Sequence, residues 1–336
     1  MQDPKVLTII LNYRTPELSL RSLDAAYGAM EGIAGEILVV DNCSGDGSCE
    51  VIAKGIEARG WAGGSRVRLA ASGHNGGFGA GNNFGMKLGL SDGSQPDYIY
   101  LLNSDAFPEK SAISELFTHL AAHPKAGMAG SYIRGEDEIP HITAFRFPSV
   151  AGEFEGAVRT GIVTRLLKGS VVPLPMPQEA TSVDWVAGAS VLMRREMLDE
   201  IGGFDERFFL YFEETDLCRR ARRAGWEVWY LPQSRVVHLG SVSTGMKTWA
   251  RTPGYWFDSR LHYFVKNHGR GYAVGATLAR VAGAALWRLR VAVSGKELGD
   301  PPHFLRDLIG HGITSVFRRQ SDSGPEAGVP LREEGK

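Results

Sequence analysis

The chain has 336 residues, and its 37 Lys and Arg nearly balance its 38 Asp and Glu, giving a net charge of −1. A protein that wraps nucleic acid usually carries a marked basic excess, so nucleic acid is not expected as a partner. Three cysteines without a CxxC pair disfavour a disulfide framework and a structural zinc site, and they suit a reducing cytoplasm. We expect no signal peptide, because the N-terminus lacks a basic n-region and a long apolar h-region. We expect no transmembrane helix, because the chain has no run of 18 apolar residues.

Short apolar runs alternate with helical patterns over the first 130 residues. This alternation predicts an α/β fold with a doubly wound, mostly parallel sheet flanked by helices, in which ligands bind at the carboxyl ends of the strands. The predicted strands are 6–11, 37–40, 67–71, 98–102 and 127–132. The predicted helices are 16–29, 51–59, 82–90 and 111–123.

The rest of the chain is less regular. Residues 135–183 carry five prolines and are predicted to form a long, partly ordered excursion. The pattern then predicts a strand over 184–192, a helix from Arg195, a helix near Glu213, two short strands (228–231 and 236–238) and helices from Tyr255 onward. Seven apolar residues of this last region share one helix face: Leu278, Val281, Ala282, Ala285, Leu286, Leu289 and Val293. We predict a catalytic domain over 1–250 with halves 1–132 and 133–250, a helical region over 251–320 and a disordered tail over 321–336.

Glycine is over-represented, with 42 of 336 residues against a usual share of about 7%. Seven of them fall within residues 73–89, which we interpret as a loop before a helix that starts near Asn82. Such a loop lets backbone amides approach an anion, whereas the alternative is a flexible linker. A dinucleotide fingerprint would follow the first strand, but this loop follows the third and reads GxGxxxG, which disfavours a dehydrogenase.

Polar side chains follow several predicted strands. Asn12 and Asp41 end the first two strands, where a carboxylate can bond a nucleobase or ribose. Asp105 follows the fourth strand and is a hard oxygen ligand of the kind that holds Mg²⁺ or Mn²⁺. His238 ends a late strand and is either a metal ligand, a phosphate donor or a structural residue. Turn formation and helix capping are the alternatives for the two aspartates.

Three acids, Glu213, Glu214 and Asp216, lie at a predicted helix start after the strongly aromatic segment 204–212. The helix dipole alone would favour acids there. Apolar walls would also raise the pKa of a carboxylate toward the range of a general base. Arg219 and Arg220 would either pair with these acids or form a solvated face, and the sequence leaves both readings open.

Taken in order, seven stretches resemble the inverting glycosyltransferases of family 2, which have the GT-A fold, and in particular their bacterial rhamnosyltransferase-like branch. They span about residues 6–243. The stretches are ILNYRTPELSLRSL, VVDNCSGDGS, HNGGFGAGNNFG, LLNSDAFPE, DWVAGASVLMRRE, GGFDERFFLYFEETDLCRRARRAGW and VVHLGSVST. The resemblance implies a Rossmann-like nucleotide-diphospho-sugar transferase sheet with a helical C-terminal extension.

The resemblance also implies roles for single residues. Glu214 would be the general base, with Glu213 as the second candidate because the commoner acid pair in the family is Glu-Asp, and Asp216 would support that segment. Asp105 would be the metal-binding acid of the DXD motif, whose first acid is replaced by Asn103, and His238 would approach the metal or diphosphate. The implied cofactor is Mg²⁺ or Mn²⁺. The implied nucleotide-sugar-binding residues are Asn12, Arg14, Asp41, Asn75, Phe78, Gly79, Asn83, Asn103, Ser104, Trp185 and Gly188.

The implied reaction is inverting transfer of a sugar, with rhamnose favoured, to a saccharide or polyprenyl-linked acceptor in cell-envelope polysaccharide synthesis. The favoured donor is dTDP-rhamnose and the second is a UDP-sugar. A non-catalytic sugar-nucleotide-binding protein and a nucleotidyltransferase of similar fold are the alternatives. The C-terminal helices, with Trp287 and several basic residues, would lie on the inner face of the cytoplasmic membrane, pack on the catalytic domain or form a homo-oligomer. The expected location is the cytoplasm.

Overall fold

The computed structural model describes residues 4–63, 66–240, 249–294 and 299–317, with strands and helices alternating over the first half. The strands are β1 (Val6–Asn12), β2 (Gly35–Asp41), β3 (Val67–Ala71), β4 (Tyr98–Asn103), β5 (Ala106–Pro108), β6 (Ala126–Arg134), β7 (Pro140–His141), β8 (Ala144–Phe145), β9 (Thr181–Val183), β10 (Trp185–Val186), β11 (Ser190–Arg194) and β12 (Glu227–His238). The helices are α1 (Pro16–Ala29), α2 (Ser48–Ala58), α3 (Gly77–Leu88), α4 (Ala112–Ala122), α5 (Val150–Val158), α6 (Gly161–Leu166), α7 (Arg195–Ile201), α8 (Glu213–Arg223), α9 (Gly254–His268), α10 (Arg270–Ser294) and α11 (Phe304–Phe317).

The main sheet has the strand order β3-β2-β1-β4-β11-β6-β12-β5. Strands β3, β2, β1 and β4 are parallel, β11 is antiparallel to both of its neighbours, and β6 and β12 are again parallel to each other. The predicted α/β class with a mostly parallel sheet flanked by helices is confirmed. Because β11 runs opposite to both β4 and β6, the carboxyl ends of β1, β2, β4, β6 and β12 all lie at one edge.

The parallel strands are apolar because helices cover both faces of the sheet. In β1, every residue except Leu11 is buried. One core cluster packs the sheet against α1, α2 and α4, and a second packs the other face against α3, α7 and α8. The polar residues at the carboxyl ends of these strands therefore lie on a rigid support.

The structure corrects two strand boundaries. The single strand predicted over 184–192 is two elements, because β10 pairs with β8 in a separate ribbon while β11 pairs with β4 in the main sheet. The two short strands predicted over 228–231 and 236–238 are one strand, β12, whose register shifts between Leu231 and Arg235. Pro232 lies in this irregularity and cannot donate a backbone hydrogen bond.

The region 135–183 is more ordered than predicted, because the C-terminal helices pack on it. A Cβ at Gly283 of α10 would lie 2.7 Å from the carbonyl oxygen of Phe154 in α5, so the two helices approach closely. Arg260 of α9 donates to the buried Glu153 of α5 at 2.8 Å. These contacts give α5 a partner that lies more than a hundred residues away in the sequence.

The helix predicted to start near Asn82 in fact starts at Gly77, so that prediction is wrong by five residues. Gly77 has a φ of +88°, and a Cβ there would lie 1.7 Å from the carbonyl oxygen of Phe209. Further along α3, Cβ atoms at Gly81 and Gly85 would lie 2.5 Å from Leu11 and 3.0 Å from Ile9. These glycines therefore let α3 lie close against the sheet, instead of forming a loop before the helix.

Most of the apolar face predicted for the C-terminal region is turned away from the rest of the protein, although Val281 packs against the cluster of Phe257, Phe304 and Leu308. Leu278, Leu289 and Val293 of α10 are 63%, 67% and 91% exposed. The helix instead buries small residues and Trp287 against its neighbours. No helix within the described ranges is long and apolar enough to cross a membrane. The tail predicted over 321–336 lies outside the described residues, and the domain boundaries stay predictions.

Candidate active site

The start of α8 is set by an unusual bend in the chain. Tyr211 and Phe212 both have left-handed backbone conformations, with φ values of 70° and 69°. Each such residue costs about 1–2 kcal/mol when it is not glycine. Strain of this kind is typical of functional sites, where the surrounding structure holds it in place. The bend brings Glu213 and Glu214 into the first turn of α8.

Glu214 lies where three elements meet. A Cβ at Gly188, in the turn between β10 and β11, would be 3.8 Å from Cβ of Glu214 and 3.3 Å from the ring of Phe78 in α3. The Phe78 ring also packs edge-on against Phe204 at 5.9 Å. The structure thus brings three of the predicted site residues, Phe78, Gly188 and Glu214, into one place, with an apolar wall beside the carboxylate.

The two glutamates differ in how far each residue is exposed, and the pKa values of both carboxyls are raised. Glu213 is buried, whereas Glu214 is partly exposed as a residue although its Oε2 atom is buried. Burial raises the pKa of Glu214 to about 6, against the opposing effect of backbone amides at the helix start. Burial and then the neighbouring Glu214 charge raise the pKa of Glu213 well above its usual range. A raised pKa of this kind brings a carboxyl toward the working range of a general base.

Asp216 anchors α8 to α9. It is completely buried, and it accepts hydrogen bonds from Arg220 at 2.9 Å, Lys266 at 2.6 Å and Asn267 at 3.0 Å. Although burial alone would raise it, the pKa of Asp216 is lowered, chiefly by the Lys266 and Asn267 hydrogen bonds. With its oxygens occupied, Asp216 holds the helix in position. Lys266 also bonds Asp205 at 2.9 Å, so one lysine joins both acids.

The two arginines left open by the sequence take different roles. Arg220 pairs with Asp216 and donates to the backbone carbonyls of Ile201 and Gly203. Arg219 instead lies over the ring of Phe147, with its guanidinium carbon 5.1 Å from the centroid. Only Arg220 therefore helps to fix the acidic segment.

The predicted metal ligands Asp105 and His238 come together at the carboxyl edge of the sheet. The two lie 3.0 Å apart, Asp105 Oδ1 to His238 Nε2, and Asn103 Nδ2 lies 3.4 Å from the same nitrogen. Strand β5 makes this possible, because it pairs with β12 so that Ala106 faces His238. Within the described ranges, no three or more His, Cys, Asp or Glu side chains cluster as a metal cage. Two protein ligands fit Mg²⁺ or Mn²⁺ when diphosphate oxygens supply the remaining ligands.

The residues that end β1 and β2 form one hydrogen-bonded group. Asn12 is fully buried and donates to Asp41 at 2.7 Å. Ser44 donates to Asp41 through both its hydroxyl, at 2.5 Å, and its amide, at 3.1 Å. Arg14 is exposed, and its guanidinium donates to the Ser44 carbonyl at 3.1 Å. Ser104, which directly follows β4, joins this edge through its hydroxyl, 2.9 Å from that of Thr15.

The other predicted nucleotide-binding residues hold α3 and the β8–β10 ribbon in place. Asn75 accepts the amide hydrogen of Gly77 at 3.0 Å, at the start of α3. Asn83 exchanges two hydrogen bonds of 2.9 Å with the backbone of Phe204, and a Cβ at Gly79 would lie 2.9 Å from the same residue. The indole of Trp185 stacks on Phe145 at 4.0 Å and donates to the carbonyl of Arg146.

Sequence reasoning missed several residues of this site. Lys266 and Asn267 reach Asp216 from a helix 50 residues further along the chain, and no local pattern marks them. Ser44 lies in a stretch whose turn-forming composition hides its role as a partner of Asp41. His141, whose ring centroid is 6.2 Å from that of His238, lies in the irregular excursion.

Comparison with known proteins gives a family model and several relatives that match this chain. Residues 4–273 match the family model described as "Glycosyltransferase like family 2". An N-acetylglucosaminyl-diphospho-decaprenol L-rhamnosyltransferase of Mycobacterium tuberculosis is 31% identical over 221 residues, covering 62% of this chain and 68% of the relative. Rhamnosyltransferase WbbL of Escherichia coli is 29% identical over 166 residues, covering 48% of this chain and 60% of that protein.

Solved structures share the fold. A Pyrobaculum calidifontis mannosyltransferase in complex with GDP-Man and Mn²⁺ aligns with a TM-score of 0.54 at 16% identity, over 95% of this chain and 82% of that one. Residues 1–349 of S. aureus TarS, in complex with UDP-GlcNAc, align with a TM-score of 0.55 at 13% identity, over 91% and 79%. These neighbours are GT-A glycosyltransferases. The chain belongs to the glycosyltransferase like family 2 and is a glycosyltransferase enzyme.

Proposed function

We propose that the chain transfers rhamnose from dTDP-rhamnose, with inversion, to a hydroxyl of a lipid-linked saccharide, and that Glu214 is the base. A UDP-sugar is the second candidate donor. The observation that carries the proposal is Glu214, whose side chain starts beside Gly188 and Phe78 and whose carboxyl has a pKa raised by burial to about 6. The Mycobacterium tuberculosis relative, whose name includes a decaprenol-linked acceptor, supports the choice of acceptor class.

In the proposed reaction, the Glu214 carboxylate accepts the proton of the acceptor hydroxyl as its oxygen attacks the anomeric carbon. The bond from that carbon to the diphosphate breaks, and the nucleoside diphosphate leaves with the electron pair. Attack from the face opposite the leaving group inverts the anomeric carbon in one displacement. Asp216 keeps α8 in position through Lys266 and Arg220.

Asp105 and His238 would hold Mg²⁺ or Mn²⁺ together with the donor diphosphate. When bound, such an ion neutralises negative charge on the leaving diphosphate. Asn103 stands where the family motif has its first acid, so Asp105 is the carboxylate that this motif retains. The Mn²⁺ in the Pyrobaculum calidifontis mannosyltransferase structure supports a divalent ion.

The test compares two matched variants in a transfer assay with dTDP-rhamnose and a short-chain N-acetylglucosaminyl-diphospho-lipid. Glu214→Gln should lose about 10²–10⁴-fold in rate while still binding dTDP, whereas Glu213→Gln should stay active. Near-normal turnover by Glu214→Gln would exclude it as the base. Wild-type protein that binds the nucleotide sugar without transferring it would favour the non-catalytic alternative. Asp105→Ala should lose any stimulation by Mn²⁺, and full activity of this variant in chelator would remove the metal proposal.

We also propose that α10 and α6 rest on the anionic inner face of the cytoplasmic membrane. Residues 270–294, which form α10, contain four arginines and neither Asp nor Glu. The same helix carries an exposed apolar stripe formed by Leu278, Leu286, Leu289 and Val293. Arg290 donates to Thr160, which places α6, with Ile162 70% and Leu166 77% exposed, beside the end of α10. Basic residues beside an apolar helix face are typical of helices that bind anionic lipid surfaces.

Liposome pelleting tests this placement. The wild-type protein should pellet with phosphatidylglycerol vesicles, less so at high salt, and the double variant Leu286→Glu, Leu289→Glu should stay in solution. Leu88→Glu, which changes an exposed leucine at the end of α3, is the matched control and should pellet normally. Failure of the wild-type protein to pellet would refute the proposal. If the double variant instead converts a dimer to a monomer, the stripe is a contact between two copies.

A further inference from the structure

One buried side chain joins the ends of β1 and β2 to the first turn of α3. Asn42 directly follows Asp41, the last residue of β2, and is 3% exposed. Its backbone amide donates to the carbonyl oxygen of Asn12 at 2.9 Å. Its side-chain nitrogen Nδ2 donates to the side-chain oxygen of Asn75 at 3.0 Å and to the carbonyl oxygen of Gly77 at 3.1 Å. Asn42 therefore bonds both the strand ends and the start of the helix.

Asn42 and Asn75 together hold the backbone of Gly77 from both sides. The Asn75 side-chain oxygen that accepts from Asn42 also accepts the amide hydrogen of Gly77 at 3.0 Å. The Gly77 carbonyl accepts from Asn42 directly. Both polar backbone groups of Gly77 are thus bonded while its φ is +88°. Loss of the Asn42 amide would leave the buried Gly77 carbonyl without this donor, which is costly.

Gly77 and Phe78 in turn contact the segment that leads into α8. A Cβ at Gly77 would lie 1.7 Å from the carbonyl oxygen of Phe209, so the two backbones are in direct contact. The amide of Phe78 donates to the same carbonyl oxygen at 3.1 Å. Phe209 lies two residues before the left-handed Tyr211, and Glu214 follows in the first turn of α8. A continuous set of contacts therefore links the ends of β1 and β2 to the acidic start of α8.

We propose that Asn42 is a positioning residue, which fixes the segment 209–214 relative to the ends of β1 and β2 through the first turn of α3. The inference rests on the proposed function, in which the donor binds at these strand ends and Glu214 is the base. The described hydrogen bonds of the Asn42 side chain reach neither glutamate, so Asn42 acts through Gly77 and Phe78. A displacement of about 1 Å at the reacting groups can cost about 100-fold in rate.

Steady-state kinetics with dTDP-rhamnose and the short-chain N-acetylglucosaminyl-diphospho-lipid tests the inference. Asn42→Ala removes Nδ2, and it should lower kcat at least about tenfold while leaving both KM values within about twofold. Asn42→Ser keeps one donor and should lie between Asn42→Ala and the wild type. It takes the place of Asn42→Ala if that variant does not fold. A kcat within twofold of the wild type would overturn the inference. A raised donor KM at unchanged kcat would do the same, because Asn42 would then act in donor binding.

Two control variants separate positioning from a general loss of stability. The Ser72 hydroxyl lies 3.2 Å from the Asn42 side-chain oxygen and 2.8 Å from the carbonyl oxygen of His74. Ser72→Ala removes this hydroxyl but leaves Nδ2 of Asn42 bonded, and it should keep the wild-type kcat. Ile113→Val shortens a fully buried side chain of α4, on the other face of the sheet. It should lower the Tm but not kcat at a temperature where all variants are folded. A fall in kcat of either control to the level of Asn42→Ala would contradict the inference.

Hydrogen exchange measured by mass spectrometry follows the same contacts without any reaction. In Asn42→Ala, peptides that cover residues 204–216 should exchange at least about fivefold faster than in the wild type, and those that cover α4 should be unchanged. Ser72→Ala should match the wild type in both. Unchanged exchange over 204–216 in Asn42→Ala would overturn the inference even if transfer is observed. If the wild-type protein transfers no sugar but this segment responds to Asn42→Ala, only the proposed function fails.

Discussion

Replacing the candidate base should make the protein inactive and, above pH 6, more stable. In the folded chain the pKa of Glu214 is about 6, against an ordinary 4.5. The folded state therefore binds more protons than the unfolded state between these two pH values, and stability falls as the pH rises through that window. The difference of about 1.5 between the pKa values corresponds to about 2 kcal/mol, at 1.36 kcal/mol per pKa unit. Glu214→Gln cannot ionise and so should escape this loss.

The assay is thermal unfolding by calorimetry from pH 4 to pH 8. Relative to its own value at pH 4, Glu214→Gln should gain about 3 °C over the wild-type protein by pH 8, since a chain of this size loses about 0.7 kcal/mol per degree near its midpoint. Comparing each protein with itself removes the cost or benefit of the new amide. Glu31→Gln, at an exposed position, is the control and should follow the wild type. Parallel curves for the wild type and Glu214→Gln at every pH would refute the reasoning.

Three further predictions follow from the same contacts. Because Glu214 must be ionised to accept a proton, kcat/KM should fall as the pH drops below about 6, and a flat profile down to pH 5 would contradict its role as the base. Asp216→Asn should destabilise the protein by about 3–5 kcal/mol in urea unfolding, because Lys266 and Arg220 lose a buried anion; a loss below 1 kcal/mol would mean that the anchor is unimportant. Gly188→Val should leave the fold intact by circular dichroism but reduce turnover at least about tenfold, since its side chain would meet Phe78 and Glu214; full activity would show that this space is not used.

The parallel strands were predictable because each is a short apolar run covered on both faces. The start of α3 was not, since glycine is a poor helix former and only the closeness of α3 to Ile9 and Leu11 explains why this segment is helical. The break between β10 and β11 was also hidden, because the pairing of β10 with β8 depends on a segment 40 residues earlier. Local pattern cannot reveal a partner that is distant in sequence.

The candidate site, like the fold, could be predicted only in part. The acids at 213, 214 and 216 were found from their position after an aromatic segment, and the predicted rise in the pKa of a carboxylate there agrees with the structure. The different tasks of these acids were not visible, because Asp216 acquires its role from Lys266 and Asn267 of α9. The predicted roles of the nucleotide-binding residues and the domain boundaries stay predictions.

Lys266 has a consequence for protein engineering. Exchanging the C-terminal helices between members of this family would be a natural way to learn what these helices do. In this chain, however, Lys266 of α9 bonds both Asp205 and Asp216, and His262 bonds Asp205 at 2.9 Å. A chimera joined at residue 250 would keep the sheet but replace the residues that hold the acidic start of α8. Successful exchanges would have to transplant the acids of the α8 region and their α9 partners as one unit.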